Sequence, residues 1–479
     1  MHRDSCPLSP SYRSIQSDRD HRRFVQSRLR DLAHHLFVFI RAGMNKALKS
    51  LIAAGAAIEI LFIIFRLLPL DGSQRILLYI GLGLAVFAVI LLLARFLRSA
   101  PLEKRFFLLL AFAALVFQLT LLSAPPDLSD DIYRYVWDGK LQYVGISPYT
   151  YAPSDPLLRP YHSAHLPARV NFPDIKTIYP PLAQAFFTLS YAIFGENLDG
   201  MKFIFIMINM GNIFLFYRIL QQRRYLLAPL LLFAWNPLLI METAVNGHLD
   251  VLFLFFLLMA LFFFYRQRWL FAGIALGLSV LSKLIPLIAF PVFVAELAAK
   301  KPQRKPLVLF SVSFAATLAL AVLPYLKTIG NMLGTMMNYS SYWYFNSPHF
   351  HLLLAIFKDN ILVHRILFLL LIVFLAAVVL WRTRFENKIF LCFFAFILFN
   401  PVIYPWYLIV LLGLLCIHES RIAFYWSGPI LLSYIVAYRY RVTGAWHDSW
   451  PVMALEYGSL AILILWQRLQ AYRWRSRQT

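Results

Sequence analysis

The sequence predicts an all-α polytopic membrane protein with about fourteen transmembrane helices. Its 479 residues are 60% hydrophobic and only 14% charged, whereas a soluble domain carries about one charged residue in four. The apolar residues come in runs of about 15–20, the length that crosses a hydrocarbon layer roughly 30 Å thick. These runs are apolar nearly all round, without the alternation of a spanning strand, so a porin-like barrel is excluded along with a soluble enzyme. A formal charge of +22 would suggest nucleic acid in a soluble chain. Here Lys and Arg gather in the links between apolar runs, so the expected partner is a lipid bilayer and not nucleic acid.

From the N terminus, residues 1–48 read as a basic cytoplasmic arm. The arm lacks the short apolar core of a signal peptide, and 24–41 suits either a basic amphipathic helix on an anionic surface or a solvated tail. The transmembrane domain follows over 49–467, with crossings expected at 50–70, 76–95, 106–123, 201–219, 226–242, 249–265, 269–282, 284–299, 306–324, 361–381, 388–403, 404–418, 421–438 and 451–467. This register puts the basic links 95–105, 218–224, 266–268, 300–305 and 382–388 on the cytoplasmic side, together with the basic tail 468–479. Both termini are then inside a multi-pass cell (plasma) membrane protein. The register requires that 182–194, opened by Tyr179-Pro180-Pro181, lie along the outer surface without crossing. It also requires a short hairpin turning at 283–286, because fourteen helical residues reach only about 21 Å.

Two long segments, 123–200 and 327–360, then face the extracytoplasmic side, the first carrying surface helices. Cys6, Cys392 and Cys416 show no CxxC spacing. No Walker loop, HExxH or GxSxG occurs, and no His/Asp/Glu set has metal-ligand spacing. No cofactor or catalytic metal is therefore expected as obligatory, with divalent-cation dependence left open.

The first outer segment holds the adjacent acids Asp130 and Asp131. Paired carboxylates at a low-dielectric boundary raise one another's pKa and suit a general base. Equally, Ser129 or Asp130 could cap a helix starting at Asp131. Lys283 is the only basic residue between Trp269 and Val294. An intramembrane lysine is costly unless it lines a cavity or pairs with an acid or phosphate, and snorkelling to the headgroups is the other option. Arg134 is a second candidate for a phosphate, and Arg365 a weaker one. Asn246-Gly247-His248-Leu249-Asp250 sits at an outer turn, where His248 and Asp250 either bind a sugar and orient the base or form a turn with Asp250 capping the next helix. Glu242 beneath it faces a cavity or balances Lys283. The aromatic clusters around Trp343 with Asn346, and around Trp406, suit sugar stacking, polyprenyl contact or an interfacial girdle.

Asp130-Asp131-Ile132-Tyr133-Arg134-Tyr135, then Gly145-Ile146-Ser147-Pro148-Tyr149, then Tyr179-Pro180-Pro181-Leu182, resemble the membrane glycosyltransferases of the C-type (GT-C) fold. The resemblance is closest to polyprenyl-phosphate-mannose-dependent mannosyltransferases and covers roughly 127–291. It implies a GT-C-like bundle that moves a hexose, mannose foremost, from a polyprenyl-phosphate co-substrate to a lipid-linked or surface glycan, with inversion. It further implies Asp131 or Asp130 as the base, Lys283 and Arg134 toward the donor phosphate, and a substrate-binding set of Tyr133, Asp138, Tyr179, Glu242, Asn246, His248, Asp250, Trp343, Asn346 and Trp406. Asp138 also suits mere helix solvation. The rival from another class is a transporter or flippase of lipid-linked saccharides; the long acid-bearing loop and the lack of repeated halves disfavour it.

Overall fold

The computed structural model describes residues 46–223, 226–299 and 304–475. The arm expected over 1–48 lies almost wholly outside the described residues, as do its 24–41 stretch and the last four residues of the tail. The chain divides into two compact units, Met1–Ala53 and Ala54–Thr479. The described part of the first is the opening of helix Lys46–Leu67, and the site described below lies wholly in the second.

Among the described residues all regular structure is helical, and extended backbone pairs only in two isolated bridges. Helix α1 (Lys46–Leu67) is followed by α2 (Gly72–Phe96), which opens on a capping box. Asp71 accepts from the Ser73 and Gln74 amides while the Gln74 side chain returns to the Asp71 amide. After α3 (Lys104–Leu121), the segment 123–200 carries α4 (Asp131–Tyr143), a 3-10 turn (Pro156–Tyr161) and α5 (Pro181–Phe194). At 14 residues α5 is about 21 Å long, too short to span. It lies against α4 with Phe187 stacked on Tyr135 at 4.5 Å.

Next come α6 (Leu198–Arg223), then α7 (Leu227–Ala234) and α8 (Pro237–Ala244), one apolar stretch interrupted at Asn236-Pro237. α9 (Asp250–Tyr265) leads to α10 (Trp269–Ser282), which ends where Lys283 turns extended (φ −159°, ψ 137°). A 3-10 turn (Ile285–Ala289) and α11 (Phe290–Ala298) complete the hairpin. α12 (Lys305–Val322) packs on α10, the Gly273 backbone close against the Phe310 carbonyl. The segment 327–360 carries α13 (Ile329–Tyr342) and α14 (Pro348–Phe357). α15 (Asn360–Leu380), α16 (Phe385–Phe399), α17 (Ile409–Gly413), α18 (Arg421–Trp426), α19 (Ile435–Thr443) and α20 (Trp450–Arg475) finish the bundle.

Helix lies at every expected crossing, but eight stretches among the described residues are both long and apolar enough to span alone. The expected crossings at 249–265, 269–282, 284–299, 388–403, 404–418 and 421–438 are shorter or broken into short turns. Burial by protein explains how the broken ones persist. Residues 408–417 are all buried, so their irregular backbone never meets lipid.

Candidate active site

The segment after α3 is fastened before it reaches α4. Buried Lys202 donates to the carbonyls of Leu122 (3.2 Å) and Ala124 (2.6 Å). Asp127, also buried, is held by Arg75 and by Arg441 at 2.8 Å. Ser129 Oγ then accepts from the Asp131 amide at 3.3 Å, whereas Asp130 is exposed and makes no capping hydrogen bond. The choice between cap and base therefore divides: Ser129 serves the helix start, and the Asp131 carboxylate is left for other contacts.

Asp131 Oδ1 accepts from Asn171 Nδ2 at 2.7 Å, and Oδ2 lies 3.8 Å from His248 Nδ1. Burial pushes its carboxyl above the usual range, while hydrogen bonding from Asn171 and the charge of Lys283 pull the other way. Asn171 is positioned by Arg134, whose guanidinium donates to the carbonyls of Asn171 (2.8 Å), Phe172 (2.8 Å) and Ile175 (2.9 Å). Arg134 thus clamps the loop through both of its terminal guanidinium nitrogens. Asp138 also ties elements together, accepting from Gln184 of α5 at 3.0 Å. Tyr133 OH accepts from Arg169 at 3.1 Å. The Tyr179 carbonyl accepts from Tyr149 OH at 2.8 Å, linking the Gly-Ile-Ser-Pro-Tyr and Tyr-Pro-Pro motifs.

Across from Asp131, the Asn246–Asp250 turn is bent by Gly247 at φ +66°, where an added Cβ would meet Ile132. Within it His248 is fully buried between two acids, with Nε2 3.4 Å from Glu242 Oε2 and Nδ1 toward Asp131. Neither ring nitrogen has a hydrogen-bond partner among the described residues. The ring stacks on Trp406 at 3.9 Å, Trp406 on Tyr404 at 4.3 Å, and Tyr404 on Phe345 at 4.8 Å. Glu242 accepts from Tyr434 OH and from Asn246 Nδ2 (3.0 Å) and does not pair with Lys283. Lys283 Nζ instead donates to both Asp250 oxygens at 2.8 and 2.9 Å and lies 4.8 Å from the Tyr407 ring centroid.

Asp131, His248, Glu242, Asn246, Asp250, Lys283 and Trp406 therefore form one cluster, drawn from α4, the turn before α9, the end of α10 and the Pro405 turn: His248 touches Asp131, Glu242 and Trp406, and the Lys283 charge reaches Asp131 and His248. Trp343 lies at its rim, stacked on Tyr339 at 5.2 Å and edge-on to Phe172 at 4.8 Å. Asn346 lies apart from the cluster: its side chain donates to buried Glu456 at 3.0 Å and its carbonyl accepts from Tyr457. Asn171 and Tyr434 were not legible as site residues. Asn171 acts forty positions from its partner through a loop without local signal, while Tyr434 had one cue, a phenol in an apolar run that needs a buried acceptor. Among the described residues no group of His, Cys, Asp and Glu is arranged to hold a metal ion.

Residues 47–299 match a family model, the MptA_B family, described as alpha-(1->6)-mannopyranosyltransferase, N-terminal domain. The match covers more than half of the 479 residues and contains Asp131, His248 and Lys283. Comparison with curated proteins gives no match.

Proposed function

The chain belongs to the MptA_B family of alpha-(1->6)-mannopyranosyltransferases, and from that premise we propose that it moves mannose from a polyprenyl-phosphate donor to a hydroxyl of a lipid-linked or surface glycan at the extracytoplasmic face. The observation that carries the proposal is the convergence of Asp131, His248 and the Lys283–Asp250 pair, close enough for their charges to act on one another, which we read as the lining of a substrate chamber.

In this reading Asp131 removes the proton from the acceptor hydroxyl, whose oxygen attacks the anomeric carbon of mannose. The bond from that carbon to the phosphate oxygen breaks as the new glycosidic bond forms on the opposite face, which inverts the centre. The departing polyprenyl phosphate gains negative charge, and Lys283 meets it. Asp250 keeps the ammonium at the chamber wall, so the lysine is positioned before the donor arrives. His248, with both nitrogens uncommitted between Asp131 and Glu242, orients the base and passes its proton inward. The reading uses no cofactor beyond the lipid-linked sugar.

The test is reconstitution of the purified protein in vesicles with polyprenyl-phosphate-mannose and a mannoside acceptor. The expected result is a new α-(1→6) glycoside, identified by mass spectrometry and NMR, formed from a donor of opposite anomeric configuration. Movement of intact lipid-linked sugar across the bilayer without a new bond would overturn the proposal in favour of a flippase.

A further inference from the structure

The loop between α19 and α20 contributes Trp446, His447 and Asp448. In the structure they line, with residues of the 327–360 segment, an open groove of about 440 Å³, within the roughly 300–1,000 Å³ of small-molecule sites. Its wall is aromatic, with Tyr342, Tyr344 and Trp446 all substantially exposed. Its polar centre is the His351–Asp448 pair, Nε2 to Oδ2 at 2.8 Å, where the same carboxylate oxygen accepts from the Asn346 amide at 3.0 Å. Asp448 Oδ1 has no hydrogen bond among the described residues. Trp343 is shared with the chamber rim through Tyr339, which lies within electrostatic reach of Asp131.

These features select an occupant. A phosphate or acidic headgroup would face the Asp448 carboxylate and be repelled, and a polyprenyl chain would strand the His351–Asp448 pair. A neutral sugar satisfies both halves: its C–H faces stack on aromatic rings and its hydroxyls donate to the free carboxylate oxygen. We propose that this groove is an acceptor subsite, holding the already assembled saccharide two or more residues back from the hydroxyl that enters the chamber. The inference rests on the mannosyl-transfer reading and adds to it a preference for acceptor length.

The experiment measures binding of α-(1→6)-linked mannotriose and of methyl α-mannoside to the purified full-length protein by calorimetry, for wild type, Trp446→Ala, Trp446→Phe and Asp448→Asn. Trp446 is exposed, so its truncation opens no core cavity. The expected result is tighter wild-type binding of the triose, a dissociation constant at least tenfold weaker in Trp446→Ala and in Asp448→Asn, and recovery in Trp446→Phe. In turnover, the ratio of kcat/KM for triose over monosaccharide falls in parallel. Triose binding by Trp446→Ala within twofold of wild type, or no wild-type preference for the triose, overturns the subsite. Length-dependent binding that needs Trp446, without any mannose transfer, would uphold the groove while sinking the transferase reading.

Discussion

Asp131 accepts a proton only as a carboxylate, and burial pushes its carboxyl above the usual range, so kcat/KM should rise with pH along an acid limb set above the ordinary aspartate value of about 3.9. Asn171 donates to that carboxylate and favours the charged form. Replacing Asn171 with Ala removes the stabilisation, so the acid limb should move to higher pH while the plateau falls less than it does on loss of the base. A pH–rate profile checks both, and an unmoved or downward limb would count against the assignment. At this scale the candidate residues were legible where a charge stood in an apolar or membrane-bordering stretch, as with Asp131, Glu242 and Lys283. Their partners were not, because Lys283 meets Asp250 and Asp131 meets Asn171 only through tertiary contact. The three loop carbonyls that Arg134 holds were equally invisible in the sequence.

At the scale of elements, the chamber depends on how closely α4 approaches α5. Gly139 makes that approach possible, since a Cβ there would lie 2.4 Å from the Phe187 carbonyl oxygen. Backbone cannot swing aside as a side chain can. Gly139→Ala should therefore destabilise the protein by about 1–3 kcal/mol and lower turnover by displacing Asp131, measured by unfolding in detergent and by activity; unchanged stability would show that the two helices separate freely. A non-crossing helix at 182–194 and a hairpin at Lys283 were expected from charge bookkeeping and from length, and both helices have the short extent expected. The breaks within 404–418 and 421–438 were not legible, because an apolar run reads the same whether it is one helix or several buried turns.

For the whole molecule, the segments 123–200 and 327–360 and the loop before α20 are tied to one another on the side where α9 begins beside Asp131. Asn331 donates to the Tyr149 carbonyl at 2.9 Å, Tyr325 to Gln142 at 2.8 Å, and Asp448 accepts from Asn346. At the other end of α9, about 23 Å away, Arg223 pairs with Glu386 at 2.6 Å, bringing two of the basic links together. Single cysteines at Ala164, Ser340 and His447 in a cysteine-free background should react with an impermeant thiol reagent on intact cells, whereas Gln222 and Glu419 should react only after permeabilisation. Reaction of the two groups from the same side would break the topology. The scales meet in one carboxylate, and the most direct measurement is transfer from polyprenyl-phosphate-mannose by purified Asp131→Asn beside Asp130→Asn. The account predicts a loss of about 10²–10⁴-fold in kcat/KM for Asp131→Asn and a change of only a few-fold for exposed Asp130→Asn. Wild-type turnover by a correctly folded Asp131→Asn, or an equal loss in both variants, would contradict it.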